Sequence, residues 1–334
     1  MKRRGNIFDD VCSFENLLTA AGKAQKGKRF KDSTSRFNLD LENELVKLQQ
    51  ELQNQTYKMG PYRRFYVCDP KKRLISAAPY RDRVVQHALG NIIEPIFDDI
   101  FIYDSYACRK DKGSHKAVNR YTQFSRLNKY VLKCDVKSYF ASIDHDILYS
   151  FILRKIKDRQ VLWLVKSIIE SAPSPGIPIG NLTSQTFANL YLNELDHYLK
   201  EVLKCRYYIR YMDDMVIFGN DKNELTGLKE IIRSYLKKLK LDLHENKSQI
   251  YLTRKGVGFL GYKVYPTHRL IKKQNIKRFK IRMKKYLASL RTGLIDKVKI
   301  VQSVQSWLGY AVHADTYNLR NRIKLGLNGQ GVSL

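Results

Sequence analysis

Acidic side chains are scarce in this 334-residue chain, with 32 Asp and Glu against 61 Lys and Arg and a formal net charge of +29. Solubility needs far less charge than that, so a long polyanion is the implied partner. The basic residues run through the whole chain, which excludes a single charged tail as their source. Cysteine is thin as well. Cys12, Cys68, Cys108, Cys134 and Cys205 lie far apart with no Cys-x-x-Cys pair, so neither a zinc site nor a disulfide framework is indicated. That usage fits a reducing cytoplasm. No apolar run approaches the ~18 residues that cross a bilayer, and the Met1-Lys-Arg-Arg4 start lacks an apolar signal segment, so no membrane partner is expected. Internal repeats and low-complexity segments are absent from the sequence.

Against so basic a background, clustered acids stand out. The stretch Arg206 to Phe218 has two β-prone runs, Tyr207 to Tyr211 and Met215 to Phe218, flanking Asp213 and Asp214. The pattern predicts a tight hairpin with acid at its tip. Adjacent carboxylates between apolar strands are costly unless a cation compensates them, and a divalent one does so best. Read alone, a solvated Asp-Asp turn explains the stretch equally well. A second apolar run, Tyr130 to Cys134, leads into Asp135 where a strand should end, a place that holds a carboxylate rigidly toward a cleft.

Residues 1 to 56 read as a helical, basic extension. Phe14, Leu17 and Leu18 mark a short helix, Lys23 to Ser35 a polar loop, and Leu41, Leu45, Leu48 and Leu52 a packing stripe. Strands follow at Tyr62 to Val67 and Leu74 to Ala78, joined by a turn carrying Lys71, Lys72 and Arg73 that is able to fold over a triphosphate. A helix from Arg81 to Ile93 is closed by Glu94-Pro95, and Ser105 to Gly113 forms a basic loop suited to tracking a nucleic acid backbone. Asp144 is the expected N-cap of a helix over 147–155. After a helix over 160–171, Ala172 to Gln185 is constrained by three prolines and two glycines, as expected where backbone approaches a ligand closely. A helix over 185–200 comes next, and another from Asn223 to Leu239 follows the acidic hairpin. From Thr267 the chain reads as helical, with 15 Lys and Arg against two acids in 68 residues. In Lys277 to Leu290 the apolar Phe279, Met283, Tyr286, Leu287 and Leu290 share one face, and a second helix over 301–314 buries Trp307.

These motifs together resemble the reverse transcriptases. Tyr211-Met-Asp-Asp214 is similar to their catalytic box, and Asp135 followed by Phe140 is similar to their other acidic motif. Gly176-Ile-Pro-Ile-Gly-Asn-Leu-Thr-Ser-Gln185 is closer still to the enzymes of diversity-generating retroelements, and the resemblance covers about residues 57 to 320. It implies an α+β right-hand polymerase fold, with fingers, a palm whose antiparallel sheet carries helices on one face, and a helical thumb. The implied boundaries are 1–56 for an N-terminal extension, 57–134 for fingers, 135–265 for palm, 267–325 for thumb and 326–334 for a disordered tail. Residues 145–200 would be shared between fingers and palm.

The resemblance further implies two Mg2+ ions held by Asp135, Val136, Asp213 and Asp214, with the three acids as the catalytic residues, for nucleotidyl transfer from dNTPs. It places Phe140 as a steric gate against the 2′-hydroxyl, with a core phenylalanine as the alternative reading. Lys71, Arg73, Gly180, Gln185 and Lys247 join it around the nucleotide, with Lys247 equally readable as a surface lysine. Phe259, Leu260 and Gly261 would grip the primer end, with Tyr262 bracing beside them. Most reverse transcriptases place Gln where this chain has Ile179, and a branched apolar side chain cannot make that amide contact. Base-pair control should loosen, as in the error-prone diversity-generating enzymes, especially opposite template adenines. Gln185 stands where group II intron enzymes usually have Pro.

The expected partners are a template RNA, the nascent cDNA and a small accessory variability protein forming an oligomeric barrel. A bacterial or phage-encoded cytoplasmic enzyme is implied. The segment after the thumb is too short for an RNase H domain. Two alternatives stay open: another bacterial type, of group II intron, retron or phage-defence kind, or a non-catalytic RNA-binding or splicing factor on the same fold.

Overall fold

Apolar side chains at three- and four-residue spacing set the first layer of the fold, in a computed structural model that describes residues 3–68 and 72–328. Four helices open the chain: α1 (Phe8–Cys12), α2 (Phe14–Ala24), α3 (Asp32–Leu39) and α4 (Leu41–Gln53). Ser13 caps α2 by accepting the Asn16 amide at 3.3 Å. The expected stripe on α4 is buried at Leu45, Leu48 and Leu52, with Leu41 partly covered. The stretch read as a polar loop is in part helix, because α3 buries Thr34 and Phe37 and sets the Phe37 ring edge-on to Tyr80 at 5.1 Å.

The hairpin β1 (Arg63–Cys68) and β2 (Lys72–Ala77) follows, antiparallel and largely exposed. Next comes α5 (Tyr80–Asp98), on which the N-terminal helices pack. It does not stop at Glu94-Pro95 as expected. Pro95 removes one helical hydrogen bond, but the fully buried Phe97 holds the last turn against the core. In the basic loop after it, Arg109 donates to Asp98 Oδ1 at 2.5 Å and to the carbonyls of Ile102 and Ser105, and Lys112 donates to the Tyr103 carbonyl. Those two cations fasten the loop to the protein instead of facing a polyanion.

The central region runs through α6 (Ser114–Leu127), β3 (Tyr130–Asp135), α7 (Tyr139–Ser142), α8 (His145–Leu153), α9 (Arg159–Glu170), α10 (Leu182–Tyr191) and α11 (Asn193–His197). Asp144 caps α8 as expected, accepting the Ile147 amide at 3.0 Å. The helix expected over 185–200 begins three residues earlier and breaks at Leu192, so that Gln185 lies inside α10. Then come β4 (Tyr208–Tyr211), β5 (Asp214–Gly219), α12 (Lys222–Lys238) and β6 (Gln249–Leu252). The strands form a four-stranded antiparallel sheet in the order β4-β5-β3-β6.

This sheet is covered on both faces, and strand alternation sorts its residues between them. Leu132, Cys134, Met215 and Ile217 enter one core shared with the N-terminal helices, α10 and α12. Val131, Val216 and Phe218 point the other way, into a second core with Tyr121 of α6. That second face is completed by a three-stranded sheet, β7 (Val257–Phe259), β8 (Tyr262–Val264) and β9 (Arg269–Ile271), and by α13 (Lys273–Arg291), α14 (Lys297–Ala311) and α15 (Tyr317–Asn328). The strand β9 lies where the sequence reads as helical, because Ile271 must enter the core beside Tyr262. Phe279 of α13 stacks on Trp307 of α14 at 4.2 Å. Of the expected tail, 326–328 complete α15 and 329–334 lie outside the described residues.

The N-terminal helices and the central sheet share one core, so loosening the first should weaken the whole. Leu48→Ala is expected to cost about 2–5 kcal/mol of unfolding free energy. Leu39→Ala, at a side chain 87% exposed, should shift it by less than ~0.5 kcal/mol. Urea unfolding of the two variants checks this, and equal midpoints would contradict it.

Candidate active site

Two antiparallel strands bring the first and last acids together. Asp135 ends β3, Asp214 begins β5, and the register sets them directly opposite each other. Opposed residues on neighbouring strands share a face. Both therefore lie at the open end of the face that Val131, Val216 and Phe218 bury farther along. Tyr211 pairs with Asp214, so the turn itself is Met212-Asp213, with Met212 in the left-handed region at φ 56°. Asp214 belongs to the return strand instead of the tip. Burial, then Asp214, and also Asp135, push the Asp213 carboxyl up to about 6, while a backbone hydrogen bond and Arg73 pull it back.

The turn rests on a buried ion pair. Arg210 and Asp196 both have fully buried side chains. Arg210 Nε donates to Asp196 at 2.8 Å, and its terminal nitrogens reach Asp196 Oδ2, the Asn189 side chain and backbone carbonyl, and the Met212 carbonyl. Tyr208 donates to the same carboxylate at 2.6 Å. Asp196 thus holds Arg210 charged against the cost of burial. Sequence reading passed over this pair, although a lone arginine inside Tyr208-Ile-Arg-Tyr211 was its signal.

Two lysines face the acids. Lys247 Nζ lies 2.5 Å from Asp135 Oδ1. Lys133 Nζ lies 3.2 Å from Asp214 Oδ1, an oxygen that is buried and receives no aligned hydrogen bond. Lys133, missed by the sequence reading, also stood out as a cation inside an apolar strand. Among the described residues no three His, Cys, Asp or Glu side chains converge in ready-made ligand geometry. The donor set nonetheless suits a hard divalent cation: three carboxylates, one raised by burial and then by the other two, and one with an unsatisfied buried oxygen. A cation taking Asp135 Oδ1 would have to displace Lys247. Val136 is buried and bridged to Leu243.

The constrained loop joins the acids to the hairpin. The Phe140 carbonyl accepts the Ile177 amide at 2.8 Å, and the half-buried Phe140 ring meets Tyr139 edge-on at 5.8 Å. The Ile179 carbonyl accepts the Ser76 amide of β2 at 2.9 Å. Gly180, at φ 122°, lies so close that a Cβ would stand 3.1 Å from the Ser76 carbonyl oxygen. Gln185 is exposed on α10. Arg73 is exposed on β2 yet acts on Asp213, whereas Lys71 lies outside the described residues. Another missed anchor, His145, has Nε2 at 2.7 Å from the Gly176 carbonyl.

The expected grip hairpin divides. Phe259 is fully buried and stacks on Tyr121 at 4.9 Å, and Tyr262 is fully buried with its hydroxyl on the Tyr310 carbonyl, so neither ring is free to touch a strand. Strand alternation sends both inward. Leu260 and Gly261 form the turn, and the Gly261 carbonyl accepts the Lys272 amide at 3.1 Å and the Tyr310 hydroxyl at 2.9 Å.

Residues 68–264 match the family described as "Reverse transcriptase (RNA-dependent DNA polymerase)". The chain is 29% identical to Protein YkfC of Escherichia coli over 281 residues, covering 70% of this chain and 72% of that one. It is 24% identical to the group II intron-encoded protein LtrA of Lactococcus lactis, covering 75% of this chain and 54% of LtrA. It therefore spans about half the length of that relative. The fold is similar to apo telomerase from Candida tropicalis truncated from its C-terminal domain, with a TM-score of 0.51 at 12% identity, covering 67% of this chain and 59% of the other. That likeness establishes a right-hand polymerase fold.

Removing the Lys247 ammonium should free Asp135 for a cation. Lys247→Met is expected to tighten Mn2+ binding to the protein alone roughly two- to fivefold, the scale of a half-exposed ion pair. Titration followed by electron paramagnetic resonance measures it, and unchanged affinity would mean the lysine does not compete.

Proposed function

The chain belongs to the reverse transcriptase (RNA-dependent DNA polymerase) family, and on that premise we propose that it is an RNA-directed DNA polymerase making error-rich cDNA from the template RNA of a diversity-generating retroelement. One observation carries the polymerase reading: Asp135 and Asp214 stand opposite each other, with Asp213 one residue away in the turn. Bound there, two Mg2+ ions would offset the charge that grows on the attacking and leaving oxygens. Asp135, Asp213 and Asp214 are the holders, with Val136 adjoining.

The other roles follow from position. Arg73, with Lys71 two residues before it, meets the incoming phosphates from the fingers hairpin. Phe140 bars a 2′-hydroxyl, supported by its place on α7 just after Asp135. Gly180 lets the loop backbone approach β2, and Gln185 lies on the helix that leaves the loop. Lys247, once displaced from Asp135, turns to the triphosphate. The turn Leu260-Gly261 holds the primer end from the thumb side. The domains that go with this reading are an extension over 1–56, fingers over 57–134, palm over 135–265 and thumb over 267–325, with 145–200 shared.

Ile179 supports the error-prone subtype. It contributes its backbone to β2 and has no amide to offer a base pair. A small barrel-forming accessory protein and a bacterial or phage cytoplasm belong to the same proposal. A second reading, an intron-type enzyme, is favoured by the likeness to LtrA, while Ile179 and Gln185 weigh against it.

Asp213→Asn should lower primer extension on RNA by at least about a thousandfold, the scale of losing a group that acts in the transition state, with template binding kept. Extension at wild-type rate would sink the assignment. Ile179→Gln should lower errors opposite template adenines, read by sequencing the cDNA of both forms. Identical error spectra would favour the intron-type reading.

A further inference from the structure

The buried rings of Phe259 and Tyr262 leave only the Leu260-Gly261 turn to face the strand on the primer side of the acids, and a lysine at the base of the thumb stands beside it. Lys272 immediately precedes α13, and its backbone amide is tied to the Gly261 carbonyl of the hairpin turn. Its side chain crosses the face of Gly258 so closely that a Cβ there would lie 2.9 Å from Lys272 Cε and 3.1 Å from Nζ. Lys133 Nζ approaches the same residue, 3.5 Å from the Gly258 carbonyl and 3.2 Å from Asp214 Oδ1. Lys272 senses both neighbours. Burial and then Lys133 lower its proton affinity, and Asp214 raises it.

Lys133 thus pairs with Asp214, while Lys272 lies beside Lys133 across Gly258 without pairing. Among the described residues no carboxylate lies within ion-pair reach of Lys272, and Lys133 has Asp214 as its partner. When a divalent cation takes Asp214, Lys133 loses that partner and both lysines need another anion. Arg73 already acts on Asp213 from the hairpin before α5, whereas Lys272 comes from the base of the thumb beside the Leu260-Gly261 turn. The anion met from the thumb side of a polymerase is the strand being extended, not the incoming triphosphate.

We propose that Lys272, assisted by Lys133, seats a backbone phosphate of the primer strand near its 3′ end, and that Gly258 is glycine to let Lys272 lie across it. The inference rests on the polymerase reading and supplies the strand contact that Phe259 and Tyr262 cannot make.

The test is equilibrium binding of a labelled DNA primer annealed to RNA, in EDTA, over a series of KCl concentrations. Lys272→Met keeps the stem over Gly258 and removes the charge. It should make the slope of log affinity against log salt shallower by about one, with unprimed template RNA unaffected. Lys272→Arg should restore the slope, which a merely structural role would not require. Gly258→Ala, which pushes the ammonium aside, should mimic Lys272→Met. An unchanged slope in Lys272→Met, or equal loss on primed and unprimed RNA, overturns the proposal. Wild-type protein that extends no primer with Mg2+ would overturn the polymerase reading itself, a different failure.

Discussion

The carboxylate turn depends on the Arg210–Asp196 pair beneath it. Two opposite charges with no solvent exposure are tolerable only when each finds further partners. Here Tyr208 donates to Asp196, and Asn189 and the Met212 carbonyl accept from Arg210. Asn189 and Asp196 come from α10 and α11, whereas Tyr208, Arg210 and Met212 belong to the hairpin. The pair thus clamps the hairpin to the helices behind it and fixes the carbonyl just before Asp213. Losing one partner of such a pair generally costs about 3–5 kcal/mol, because the other charge stays buried and unpaired. The backbone of Arg210 is held as well, donating to the Asp104 carbonyl and accepting from the Tyr106 amide.

The same face of the central sheet explains both packing and chemistry. Its far end is sealed by Val131, Val216 and Phe218 under α6 and the sheet of β7, β8 and β9. At its near end the alternation places Lys133, Asp135 and Asp214, so the face changes from apolar core to charged cleft within two residues along β3. Burial raises Asp213 in the turn, and the lysines meet Asp135 and Asp214 on the open end of this face. The constrained loop closes the third side through two backbone hydrogen bonds, one to Phe140 and one to Ser76. The β1–β2 hairpin, loop and acids are thereby joined by main chain, with Phe140 and Ile179 held at the junctions.

Much of this was legible in the chain. The paired apolar runs around Asp213 and Asp214, the strand leading to Asp135 and the leucine stripe of α4 all follow from period and residue type. Boundaries failed where tertiary packing outweighed local signals. Phe97 carries α5 past Pro95, Phe37 turns a polar stretch into α3, and Ile271 draws β9 out of a region that reads as helix. The rings of the grip hairpin turn inward for a related reason. Aromatic rings in a glycine-rich hairpin suit a ligand contact and a core equally well, and the alternation of β7 and β8 sends Phe259 and Tyr262 inward.

By itself, then, the sequence determined which residue types could do chemistry: two acidic motifs, a backbone loop held by proline and glycine, and a basic surface made for a polyanion. Those are local properties, written in neighbouring residues. Which side chains meet was decided only by the tertiary structure. Asp135 and Asp214 are 79 residues apart in the numbering and become opposite neighbours through strand register alone. Lys247 on Asp135, Lys133 on Asp214, Lys272 over Gly258 and Arg210 under the turn are likewise products of register and packing. No local pattern encodes them, because a contact between distant segments is fixed by how the strands align and not by what either segment prefers.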